Sequence, residues 1–145
     1  MDKTTPGAQP DITYYSKIFS IPLIILIIQP FLIVFKVYEQ VPWIDIPMHI
    51  AGALSIAISY IFLARNLQHR GFFGEMHPSF FFIFIVSLVV TTGLIWEIAE
   101  FVMDNIYTYN SPLQAGNADT MKDLFFAVVG GCLSFPFIST KKKET

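Results

Sequence analysis

Four stretches of this chain, 18–35, 46–64, 76–96 and 124–140, contain no Asp, Glu, Lys or Arg and hold 18, 19, 21 and 17 residues. A helix rises about 1.5 Å per residue, so each run meets, or falls just short of, the roughly 20 residues that cross a hydrocarbon layer of about 30 Å. Composition agrees: the chain is 54% hydrophobic and only 14% charged, with a mean hydropathy of +0.57, outside the usual range of a soluble domain. The expected fold class is all-α, an integral membrane four-helix bundle with antiparallel spans at about 17–37, 45–65, 79–104 and 119–139. Four spans in 145 residues leave no room for a separate soluble domain. A leader over 1–15, with Pro6, Gly7 and Pro10 and no cleavable-signal pattern, is expected to be disordered. A basic tail, Lys141 to Lys143, falls within 141–145.

What the hydrophobic runs do not explain is a stripe of acids. Glu97, Glu100 and Asp104 are spaced i, i+3, i+7, so a helix projects all three from one side. They lie near a helix C-terminus, where the macrodipole disfavours anions, and they repel one another. An ionisable group inside the membrane boundary is a functional hypothesis by default. The structural alternative is that Glu97 snorkels to the interface or pairs with Lys122. Asp45 and His49 recur at i, i+4 at the start of the second span, and Asp119 and Asp123 at the start of the fourth, with Asn117 just before. Each aspartate alone is explained by helix capping or by the dipole of a first turn. His49, one turn deeper than Asp45, is harder to dismiss, and the small residues Gly52, Ala53 and Ser55 beyond it admit another helix closely. His69 and His77 belong to a polar loop and are expected to be solvated. In the first span Pro22 and Pro30 predict a kink whose freed carbonyls find side chains or water, and Gln29 an interhelical hydrogen bond. Cys132, the one cysteine, reads as a small packing residue in the fourth span.

Antiparallel spans put the start of the second, the end of the third and the start of the fourth on one side, where every candidate residue lies. Lys3, Lys17, Arg65, Arg70, Lys141, Lys142 and Lys143 fall on the other side, against Lys36 and Lys122 with the acids. That asymmetry predicts both termini in the cytoplasm and a site facing the extracytoplasmic side.

One imidazole and several carboxylates on facing helices form the inventory from which bundles build carboxylate metal sites. His49, Glu97, Glu100 and Asp123 are the candidate ligands of a divalent metal. Without metal the same four are candidate catalytic residues, because crowding and desolvation oppose ionisation of all the carboxyls together and leave an acid beside a base. Asp45, Asp104, Asp119 and Asn117 form the expected supporting polar shell. No HExxH, Cys/His pair, nucleophile elbow, glycine-rich phosphate loop or basic groove occurs, so neither a nucleotide nor a nucleic acid is an expected partner.

The ordered set Asp45-xxx-His49-xx-Gly52, Trp96-Glu97-xx-Glu100, and Asp119-xxx-Asp123 before Gly130 and Gly131 resembles the VanZ-like superfamily and its YjdF-like relatives, over about 45–131. These are small polytopic membrane proteins with Asp-(Lys)-x-x-His, Glu-x-x-Glu or Glu-x-x-Gln, and Asp-x-x-x-Asp motifs in that order. This chain departs at Ile46-Pro47, where the family commonly carries a lysine. The resemblance implies membrane location and a shared polar centre, with a link to glycopeptide resistance in the VanZ branch, but no reaction. Three functions stay open: an enzyme acting on a lipid or envelope-linked substrate in the cell membrane, a protein that binds or transports a cation or cationic ligand, and a structural or accessory subunit.

Overall fold

The computed structural model describes residues 12–106, 113–114 and 116–139. The regular structure among them is helical: α1 (Ile12–Val34), α2 (Val37–Gln40), a 3-10 turn at Pro42–Ile44, α3 (Asp45–His69), α4 (Pro78–Ile106), α5 (Asn117–Cys132) and α6 (Phe135–Ser139). Four helical stretches, Thr13–Val34, Pro42–His69, Pro78–Ile106 and Asn117–Ile138, are long and apolar enough to cross a membrane. Of the leader expected over 1–15, residues 1–11 lie outside the described residues, and 12–15 already belong to α1. The basic tail, and most of the loop after α4, also lie outside them.

The core forms where α3, α4 and α5 bring small residues together. Ala53, Ala57, Ile61 and Ala64 make a buried stripe along α3 at helical spacing. Gly130 of α5 closes on it: a Cβ there would lie 2.5 Å from the Ile50 carbonyl oxygen and 2.7 Å from the Ala53 Cβ. Ala53 thus plays the close-approach role that the sequence suggests. Gly93 of α4 meets Ala127 of α5 in the same way, at 3.3 Å. Between α3 and α4 the Tyr60 and Thr92 hydroxyls share a hydrogen bond of 2.7 Å. Large apolar side chains point outward instead; Ile21, Phe31, Ile83, Ile95, Phe101 and Phe125 are all more than half exposed. In water that surface would be an aggregation hazard, but in a bilayer it is the lipid-facing coat.

Helix α1 continues through both prolines as one element. Pro22 has no N–H for the Ile18 carbonyl, and the Ser59 hydroxyl of α3 donates to that oxygen at 2.7 Å. A hydroxyl buried in α3 therefore repairs the gap in α1 and fastens the two helices together. Lys36, at φ 54°, then turns the chain out of α1 into α2.

The last span is interrupted, whereas the sequence suggests one helix over 119–139. The chain turns at Leu133 and Ser134 before α6, because Pro136 cannot donate to the carbonyl one turn back. Ser134 donates its hydroxyl to the Gly131 carbonyl at 2.7 Å. Arg65, at the far end of α3, donates to the carbonyls of Phe137 and Ile138, each at 3.0 Å, placing a cation where a helix C-terminus favours one. Cys132 is exposed and does not pack within the fold as expected; neighbouring Gly130 takes the close-packed position.

Candidate functional site

Helices α3 and α5 run alongside each other, so Asp45 and His49 face Lys122 and Asp123 near the start of both helices, before Ala53 meets Gly130 deeper in the bundle. The His49 Nε2 lies 3.3 Å from Asp45 Oδ1 and 3.6 Å from Asp123 Oδ1. The Lys122 ammonium sits 2.8 Å from Asp45 Oδ2, 2.6 Å from Asp119 Oδ1 and 3.5 Å from Asp123 Oδ1. Three aspartates from two helices thus converge on one ammonium, and two of them also flank one imidazole. Asp123 is only 3% exposed, and its Oδ1 is buried with charged neighbours but no hydrogen bond among the described residues.

Capping fails as the account of Asp45. The residue before α3 is Ile44, without a side-chain cap, and the Asp45 carboxylate is engaged by His49 and Lys122 instead. Lys122 serves the aspartates, so the structural alternative that pairs it with Glu97 does not hold. It also supplies from α5 the cation that Ile46-Pro47 withholds beside Asp45. The sequence signal was available: Asp119 and Lys122 are i, i+3 on one stripe of α5.

The two glutamates of α4 lie at the edge of this cluster. Glu97 is buried at 3% exposure; the side chains of Thr120 and Gln114 face its carboxyl, and its Oε2 has no partner among the described residues. Gln114 in turn donates to the Thr120 hydroxyl at 2.7 Å. Glu100 accepts a hydrogen bond of 2.8 Å from the Trp96 indole, one turn below it. Asp104 takes a structural role, accepting the backbone N–H groups of Leu113 and Gln114 at 2.8 and 2.9 Å and tying the following loop to α4. Asn117 is exposed at the start of α5. His69 and His77 are exposed as expected.

One contributor was not foreseen. The Tyr38 hydroxyl of α2 donates to the Gln29 side-chain oxygen, linking α1 to the rim of the cluster. Burial, reinforced by the charge of Asp45, pushes the Tyr38 phenol up to about 12, so it stays a hydrogen-bond donor at any physiological pH.

For a divalent ion the structure offers a different set of ligands from the one expected. Asp45, His49 and Asp123 each bring a ligand atom within 4.8 Å of the others, while Glu97 and Glu100 stand outside that group. Two carboxylates and an imidazole suit a hard or borderline cation. The Lys122 ammonium, however, already neutralises the same carboxylates, so an ion would first have to drive it away.

With this geometry in view, the comparisons with known proteins give the family. Residues 13–144 match the family described as predicted membrane protein (DUF2238). The chain belongs to that family. A relative from Thermotoga maritima, described as an uncharacterized protein, is 35% identical over 107 residues, which cover 73% of this chain and 52% of the relative. This DUF2238 member therefore spans about half the length of the relative it matches. No solved structure matches it.

Proposed function

We propose that this DUF2238 protein is an enzyme of the cell membrane that acts on a lipid or envelope-linked amphiphile, with His49 as the proton carrier. The observation that carries the reading is the position of His49: its Nε2 is set between Asp45 and Asp123, while its ring also lines an apolar cavity. An imidazole whose one nitrogen is held by a carboxylate presents the other as a base of fixed orientation. It would take the proton from the water or hydroxyl that attacks a linkage at the polar–apolar boundary and return it to the leaving oxygen. Asp45 and Asp123 orient the ring and stabilise its protonated form, and the Lys122 ammonium offsets the negative charge that gathers there. Glu97 and Glu100 supply a second pair of carboxyls one helix away. No metal is needed for this assignment.

The kinship to VanZ-like proteins and the antiparallel arrangement belong to the same proposal, with both termini cytoplasmic and the cluster facing the extracytoplasmic side. The distribution of basic residues supports that orientation. A second reading is a binder or transporter of cationic ligands; the grip of three aspartates on the Lys122 ammonium favours it, since a ligand cation would meet the same oxygens.

Incubation of the purified protein with an extract of envelope lipids, followed by mass spectrometry, tests the first reading. Wild type is expected to change the headgroup linkage of one lipid class, and His49→Gln to slow this by about 10²–10⁴-fold. Equal conversion by wild type and variant would overturn it.

A further inference from the structure

Beneath the carboxylate cluster, α1, α3, α4 and α5 leave a cavity of about 110 Å³ between them. Its walls run from Pro22 to Gln29 on α1, from Met48 to Ile56 on α3 and from Val89 to Trp96 on α4. At 1.5 Å per residue these lining stretches are each about 10–12 Å long and run along the helices, the direction in which lipid chains lie. The space exists because Gly52 carries no side chain there and α1 packs chiefly on α3.

Polarity divides the cavity by depth. His49, Gln29 and Trp96 stand at the end next to the cluster. Deeper, the walls are hydrocarbon except for Thr92, whose hydroxyl is already engaged by Tyr60 and by the Leu88 carbonyl. Nothing below His49 asks for a polar guest. Leu26 lines the cavity and is still 49% exposed, so the slot opens beside α1 toward the lipid-facing coat and is not sealed.

We propose that this cavity takes the linkage-proximal segment of one hydrocarbon chain of a lipid, with the polar linkage held at His49 and the rest of the chain leaving beside Leu26 into the bilayer, since a space of about 110 Å³ holds only a few methylenes. The inference rests on the reading of His49 as proton carrier and names the substrate class: a lipid recognised through a single chain as well as its headgroup. A side opening toward the lipid-facing coat suits a chain that continues into the bilayer. It also accounts for the placement of a costly polar cluster at the mouth of an apolar space, since an amphiphile spans both.

Trp96 reports on the slot directly. The chain has two tryptophans, and Trp43 is exposed outside the cavity, so Trp43→Phe leaves Trp96 as the single emitter. The probe is lysophosphatidylcholine with a dibrominated stearoyl chain, titrated into the full-length protein in unbrominated detergent. The expected result is quenching that saturates near one probe per chain. Gly52→Leu in the same background should abolish the saturable component, because a Cβ at Gly52 meets only Ile25 Cγ2, at 3.9 Å, and the side chain beyond it fills the slot. Gly52→Ala, whose methyl meets Ile25 at ordinary contact distance, should weaken binding and leaves the test intact if the larger side chain prevents folding. Quenching that rises only in proportion to probe, alike in wild type and both Gly52 variants, would overturn the inference. The two readings fail separately: saturable quenching with no lipid turnover keeps the chain site and dismisses the catalytic role, whereas turnover with unsaturable quenching does the reverse.

Discussion

At the scale of single residues, Lys122 decides how the cluster behaves. Its ammonium is the near neighbour of Asp45, Asp119 and Asp123, and without it these carboxylates are left with the His49 imidazole beside Asp45 and Asp123. Lys122→Met should therefore cost about 1–3 kcal/mol, the range for losing hydrogen bonds to charged groups, with partial exposure keeping it below the cost of breaking a fully buried pair. The same change frees the Asp45, His49 and Asp123 ligand atoms for an ion. In detergent melts, millimolar Mn²⁺ should raise the Tm of Lys122→Met by mass action and leave wild type unmoved. A metal-dependent rise in wild type equal to that of the variant would mean that Lys122 does not guard the site. The membership of the cluster was legible in the sequence to the extent that spacing alone reveals it. Asp45 with His49, and Asp119 with Asp123, share faces of their own helices, and the end of the span sets their depth. Which face meets which helix was not legible, because helical spacing fixes depth but not the rotation of one helix against another. Lys122 accordingly pairs with aspartates and not with Glu97, and Asp104 holds a loop outside the cluster.

Among elements, the contact that sets the geometry is the crossing of α3 and α5 at Gly130. Alanine there would put its Cβ within 2.5 Å of backbone, and backbone cannot yield as a flexible side chain does. Gly130→Ala should cost about 1–3 kcal/mol despite its better helix propensity. Gly131→Ala, whose Cβ would meet only Val89 and Val86 side chains at 3.4 Å or more, should be neutral or mildly stabilising. Melting both variants side by side checks the claim, and equal stability would remove Gly130 as the point of closest approach. Run length and small-residue content made the helices and the close approach at Ala53 readable beforehand. The break before α6 is not legible in the sequence because one proline near the end of an apolar run barely changes its hydropathy. The bond from Ser59 to Ile18 escaped in part: Pro22 announces a free carbonyl, but a donor 41 residues away is found only by folding.

For the whole molecule, the two ends of the helices differ in charge. The carboxylate cluster occupies the end of the helices where α3 and α5 begin, and Arg65 the end where α3 meets α6. If the basic end is cytoplasmic, a membrane-impermeant maleimide should label Asn117→Cys in intact cells and His69→Cys only after lysis, both in a Cys132→Ser background. The opposite pattern would invert the protein in the membrane. The central claim is that Asp45 works through His49 on an amphiphile, and a kinetic double-mutant cycle addresses it most directly. Rates of lipid conversion would be measured for wild type, Asp45→Asn, His49→Gln and the double variant. The account predicts that Asp45→Asn slows wild type by at least about tenfold yet adds little once His49 is replaced, since groups acting as a unit are strongly non-additive. Losses that multiply in the double variant would contradict it.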